Sequence, residues 1–228
     1  WSSDVCSSDL DVTSPNNAAE MLGLDCDLYD YEYPRFVMID QWSHPLTSGM
    51  GACECYGDTH RYGPVLVPRM PDAPACTGGI KPRRSTLKVP EGVITQLGTI
   101  ALDSGKRRAG LVVKEFGQGA AGNGKPGERG AGDYAVVFTA ALPLPANLLR
   151  NLARFSGTHV YNDEDDVIYA NTSMVAVHAI KPGPRVIHLP RPFNVGDVLT
   201  GESMGQRMSQ ILFNVTQPLT RWFELQTD

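Results

Sequence analysis

The 228-residue chain has no apolar run near the roughly 18 residues that a membrane-spanning helix needs. It has no surplus of positive charge: 20 Lys and Arg stand against 25 Asp and Glu, a formal net charge of −5, and the basic residues form no long run. Nucleic-acid binding draws on clustered Lys and Arg, so neither a nucleic-acid nor a membrane partner is expected. Aromatic residues are few, at 8%. No Gly-Lys-Ser/Thr occurs, and the cysteines lack the Cys-x-x-Cys spacing of zinc knuckles and thioredoxin-like sites. No metal or cofactor is expected. A complete (β/α)₈ barrel, at about 250 residues, does not fit in a chain with so few helical segments.

Turn-formers are abundant, with 23 Gly and 17 Pro, and 42% of the residues are hydrophobic, enough to bury a core. Trp1–Leu10 is a near-repeat of Ser-Ser-Asp around Cys6 and resembles one translated frame of a short-read sequencing adapter. Natural sequence is therefore expected to begin at Asp11, with upstream sequence and any localisation signal missing. Of the remaining cysteines, Cys53-Glu54-Cys55 has one intervening residue, and His44 and His60 flank it. A Cys/His metal site and disulfides among Cys26, Cys53, Cys55 and Cys76 both stay open, beside plain reduced thiols.

Along the chain, Ala18–Leu24 reads as a short helix and Phe36–Asp40 as a buried strand. Gln41–Pro90 is dense in Pro, Gly and Cys, with little periodicity. Val93–Ala101 and Ala109–Phe116 are strand-like, and Asp103-Ser104-Gly105-Lys106 between them reads as a hairpin turn. The Gly-rich tract 117–132 runs into a strand, Tyr134–Thr139. With no helix to meet an anion, a hairpin tip fits it better than a phosphate cradle. In Ala146–Phe155, apolar residues at 148, 149, 152 and 155 share a face, and Gly157 is placed to end the helix. Beyond it, short strands are expected at 158–161, 167–170, 174–180, 185–189, 193–199, 210–215 and 221–225, punctuated by Pro182-Gly183-Pro184 and Pro190-Arg191-Pro192. They predict a small antiparallel β-sandwich.

Three stretches carry a resemblance. Asp40–Met50 (Asp-Gln-Trp-Ser-His-Pro-Leu-Thr-Ser-Gly-Met) resembles the His-Pro-Leu/Ile loop of glutamine-amidotransferase-like, flavodoxin-type domains. Leu111–Gly117, Gly132-Asp133-Tyr134 and Leu142–Pro145 resemble the closing strands and last helix of that domain. Gly157–Asn171 (Gly-Thr-His-Val-Tyr-Asn-Asp-Glu-Asp-Asp-Val-Ile-Tyr-Ala-Asn) resembles the opening of the β-domain that follows it. That order is similar to the C-terminal region of bacterial β-galactosidase-like glycoside hydrolases, similar to family 42. There a catalytic barrel precedes an amidotransferase-like trimerisation domain and a β-sandwich.

The resemblance implies an α/β fold followed by all-β. Residues 11–157 would be a truncated flavodoxin/amidotransferase-like domain, and 158–228 a C-terminal β-sandwich. It implies a non-catalytic fragment of a glycosidase that serves assembly, as a homo-oligomer with a trimer among the expected states, and supports an active site in a missing barrel. None of the nine Glu residues lies in the Asn-Glu dipeptide that commonly carries the acid/base in related barrels, so no residue is assigned a catalytic role. Two other readings remain. One is a carbohydrate-binding module presenting Tyr161, Tyr169 or Trp222 to sugars. The other is a stand-alone amidotransferase-like enzyme using Cys53 or Cys55, for which no Gly-x-Cys-x-Gly elbow is present. Trp42, His44, Tyr161 and Tyr169 are the candidate carbohydrate or interface contacts. Asp163, Asp165 and Asp166 are a candidate cation site, although the spacing of an EF-hand loop is absent. Asn171-Thr172-Ser173 and Asn214-Val215-Thr216 match glycosylation sequons.

Overall fold

The computed structural model describes residues 14–30, 33–51, 54–71, 82–102, 107–117 and 133–227. The first ten residues, Cys53, Cys76, the turn at 103–106 and the glycine tract from 118 to 132 lie outside them. The chain divides into two compact units between Asn151 and Leu152.

The first unit opens with α1 (Pro15–Leu22). Ser14 caps it by accepting the Asn16 N–H at 3.2 Å, and Pro15 occupies the first turn, where its missing N–H costs nothing. Gly23 ends the helix in the left-handed region, φ 63°, with its N–H on Ala19 O at 3.1 Å. The helix buries Ala18 in a cluster with Leu24 and Cys26, against which Ile94, Val136 and Phe138 pack. All four residues of β1 (Cys26–Tyr29) are buried, and the strand pairs antiparallel with β4 (Val65–Pro68) and β5 (Arg83–Arg84) in a three-stranded sheet.

The second sheet of this unit has five strands in the order β3-β2-β6-β7-β8, from β2 (Tyr33–Ile39), β3 (Cys55–Tyr62), β6 (Val93–Ala101), β7 (Arg107–Phe116) and β8 (Tyr134–Thr139). Every pairing is antiparallel. Gly57 on β3 has φ 146°, and a Cβ there would lie 1.8 Å from Arg35 O, so only glycine lets β3 approach β2 at this point. After β8 comes α2 (Ala146–Phe155). It buries Leu148 and Asn151 and leaves Leu149 half exposed, so its inward face is narrower than the apolar spacing implies.

This overturns the α/β expectation. Among the described residues, 52% lie in strands and 10% in helices, forming three antiparallel sheets and two short helices. A flavodoxin-like layer needs parallel strands joined by crossovers of a dozen or more residues. The few residues between β6 and β7 permit only a hairpin.

The second unit is one five-stranded antiparallel sheet in the order β12-β11-β13-β10-β9, rather than two stacked sheets. Its strands are β9 (Val167–Ala170), β10 (Met174–Ala179), β11 (Gly183–Asp197), β12 (Ser203–Val215) and β13 (Leu219–Gln226). The expected strand at 158–161 is not formed, and the two expected at 185–189 and 193–199 are one strand running through Pro190 and Pro192. The prolines sit where the β11–β12 ladder skips from His188 to Phe193, so the N–H groups they lack are not needed. Val175, Val177, Ile187, Phe193, Val195, Ile211 and Phe223 form the core, with Tyr161, Met208 and Phe213 against it. No helix among the described residues is long and apolar enough to cross a membrane.

Candidate functional site

Trp42 and His44 lie on the loop that follows β2, and α2 fixes its shape. Asn147 and Asn151 are one helical turn apart and face the same way. Asn151 Nδ2 donates to Leu46 O at 3.0 Å and Ser48 O at 2.9 Å, while Asn147 Nδ2 donates to both Glu54 carboxylate oxygens. Glu54 in turn accepts the Gly51 N–H at 2.8 Å. His44 is buried, and its Nδ1 accepts the Leu46 N–H at 3.2 Å. Burial pulls the His44 pKa down, outweighing attraction to Glu115, so the imidazole is held neutral. The residue therefore acts as a turn-former inside the unit. Trp42 is half exposed, with its indole N–H on Gly51 O at 3.2 Å.

Two members of the acidic run, Asp163 and Asp166, are committed to arginines. Asp166 accepts two hydrogen bonds from Arg185 and one from Asn162. Asp163 pairs with Arg154, and His188 Nε2 lies 3.7 Å from its other oxygen. Among the described residues, no group of three His, Cys, Asp or Glu is placed to hold a metal ion. The guanidinium groups occupy the positions in which a cation would sit on Asp163 and Asp166. Asp165 is exposed on the same turn.

A third carboxylate, Asp197, is 2% exposed and accepts N–H groups of Leu199 and Thr200 together with Arg221 Nε at 2.7 Å. Burial pushes its pKa up, but the hydrogen bonds from Thr200, Arg221 and Leu199 outweigh that and leave it below the ordinary aspartate value. In the first unit, Asp27 is paired with Arg69 and Arg84, and Asp25 with Arg69. Lys114 is buried there beside a cavity of about 370 Å³. It donates to Gly23 O and Pro90 O, each at 2.7 Å, tying β7 to the end of α1.

The two thiols with described positions are unlike. Cys26 is fully buried, and burial with Asp25 and Asp27 nearby pushes its pKa up to about 12. Cys55 is exposed at the start of β3, which turns into β4 and not into a helix. It therefore lacks the strand-to-helix elbow that activates a thiol nucleophile. Gly201-Glu202-Ser203-Met204-Gly205 has the Gly-x-Ser-x-Gly pattern of hydrolase elbows, yet Ser203 opens β12 of a hairpin, again with no helix behind it.

The two tyrosines separate. Tyr161 packs on the core and meets His159 edge to face at 4.6 Å. Tyr169 stands 74% exposed on β9. Its row runs through Ala176 to Trp222, itself 43% exposed. Beside that row an open groove of about 690 Å³ is lined by Met174, Asn194, Glu202, Gln206, Glu224 and Gln226, among others. Sequence reading reached Tyr169 and Trp222 singly, but their shared row depends on strand register, which no local signal in the sequence encodes.

No known protein family, curated protein or solved structure matches the chain.

Proposed function

We propose that the chain is a non-catalytic part of a β-galactosidase-like glycoside hydrolase, contributing to carbohydrate metabolism by assembling and supporting an active site in a barrel outside these residues. The reading starts from the likeness of residues 157–171 to the β-domain of such enzymes and draws nothing from an α/β layer. The observation that carries it is the use made of the sealed carboxylates. Asp27, Asp166 and Asp197 each grip arginine side chains, so they tether strands and turns and are not left to act as acid or nucleophile.

A surface for assembly is at hand. Phe36 and Met38 alternate with buried Val37 and Ile39 along β2, so both project from the same side of the sheet and stand about two-fifths exposed. A second copy or the barrel would bury them. Sedimentation velocity on the full chain tests this: oligomers that Phe36→Asp with Met38→Asp dissolve are expected, and a monomer throughout the micromolar range would overturn the assembly role.

A further inference from the structure

The outward face of the C-terminal sheet carries an arrangement that the assembly role does not use. Strand register places Tyr169, Ala176 and Trp222 directly opposite one another on β9, β10 and β13. Two strand spacings separate the aromatic residues, roughly 9.5 Å. Ala176 between them is too short to fill the gap. The next row holds Met174, Glu224, Gly196 and Ser203, again partners across neighbouring strands. At Gly196 a Cβ would meet only Glu202 O, at 3.9 Å, so the floor there is open. The groove along this row offers carboxylates from Glu202 and Glu224, amides from Asn194, Gln206 and Gln226, and the Ser203 hydroxyl.

We propose that this face binds an extended, neutral, β-linked glycan, with sugar rings on Tyr169 and Trp222 and hydroxyls in the adjoining groove. Aromatic faces meet the axial C–H groups of a pyranose ring, and amides and carboxylates satisfy its hydroxyls, which is how sites for small polar ligands divide their surface. Charge selects the occupant further. The groove lining has two acidic side chains besides the arginine-bound Asp197 and no Lys or Arg, with Arg191 and Arg207 confined to the adjoining pocket past Asn194 and Gln226, so the groove itself disfavours a uronate polymer or a nucleic acid. The inference rests on the geometry of the second unit and stands independently of the glycosidase relationship.

Isothermal titration calorimetry of the full chain with β-1,4-galactan, xylan and cello-oligosaccharides tests it, with polygalacturonate as the anionic control. Binding to at least one neutral glycan is expected. Trp222→Ala and Tyr169→Ala should each weaken it at least tenfold, while Trp222→Phe retains most of it. Ala176→Arg, which fills the gap between the rings, should also abolish binding. Leu212→Ala, exposed on β12 and outside the groove, should leave affinity unchanged. Circular dichroism and melting temperature report whether each variant is folded. Absence of binding to all three neutral glycans, binding indifferent to both aromatic substitutions, or preference for polygalacturonate would each overturn the proposal. So would a dimer that Trp222→Ala dissociates, because the face would then hold a second copy of the chain.

Discussion

Arg185 closes on Asp166 in a two-pronged ion pair with both side chains sealed from water: Nε lies 2.5 Å from one carboxylate oxygen and Nη2 3.2 Å from the other, at 3% and 4% side-chain exposure. Arg185 Nη2 also donates to Lys181 O at 2.7 Å, so the pair fastens the turn before β9 to the start of β11. Removing one member strands a buried charge. Asp166→Ala is expected to destabilise the C-terminal unit by about 3–5 kcal/mol, and Asp166→Leu with Arg185→Met by clearly less than either single change. Hydrogen exchange of the β10 and β11 amides under native conditions measures this. A double variant whose loss equals the sum of the two single losses would show that the pair is not coupled.

Asp197 makes the same unit acid-sensitive. Its folded pKa lies below the unfolded aspartate value, so its contribution to stability is present above about pH 3.9 and disappears as pH falls through the folded pKa. Asp197→Asn should lower stability at neutral pH and flatten the acid limb of the stability curve. Urea midpoints between pH 2 and pH 7 provide the check.

His44 acts in a higher window. Its folded pKa is depressed from 6.5, so the neutral ring's contribution is complete above pH 6.5 and is lost progressively as pH drops toward the folded value. Protonating Nδ1 removes the acceptor for the Leu46 N–H. Opening of the 44–51 loop below pH 6.5 is expected to show as faster exchange at Leu46, after correction for intrinsic rates. His44→Gln should lose that dependence.

The thiols should differ sharply in reactivity. Cys55 is open to solvent, whereas Cys26 is buried with its pKa pushed up to about 12. Iodoacetamide at pH 7.5 is expected to modify Cys55 in the native chain and to spare Cys26 until denaturant is added. Peptide mass mapping distinguishes the two.

Where the chain's local chemistry was decisive, the elements are legible in sequence. α2 runs over Ala146–Phe155, as the spacing of its leucines implies, and β6 and β8 have the bounds of their β-branched runs. β1 escapes notice because all four residues are buried, which erases the alternation that marks a half-buried strand. β3 escapes because Gly57, Asp58, Thr59 and His60 make a polar edge. The fold class departs from the α/β expectation for a different reason. The residues themselves signalled a hairpin between β6 and β7, and that hairpin is incompatible with the parallel layer the family likeness implied. For the site, Asp163–Asp166 was visible as a charge cluster. That Arg185 lies opposite Asp166 depends on a contact 19 residues away.

Hydrolysis of 4-nitrophenyl β-D-galactopyranoside by the purified full chain decides whether bond cleavage lies outside these residues. A rate no greater than that of buffer is expected. Turnover that accompanies the chain through purification and vanishes on Glu202→Gln or Glu224→Gln would contradict it, because bond cleavage would then reside in these residues themselves.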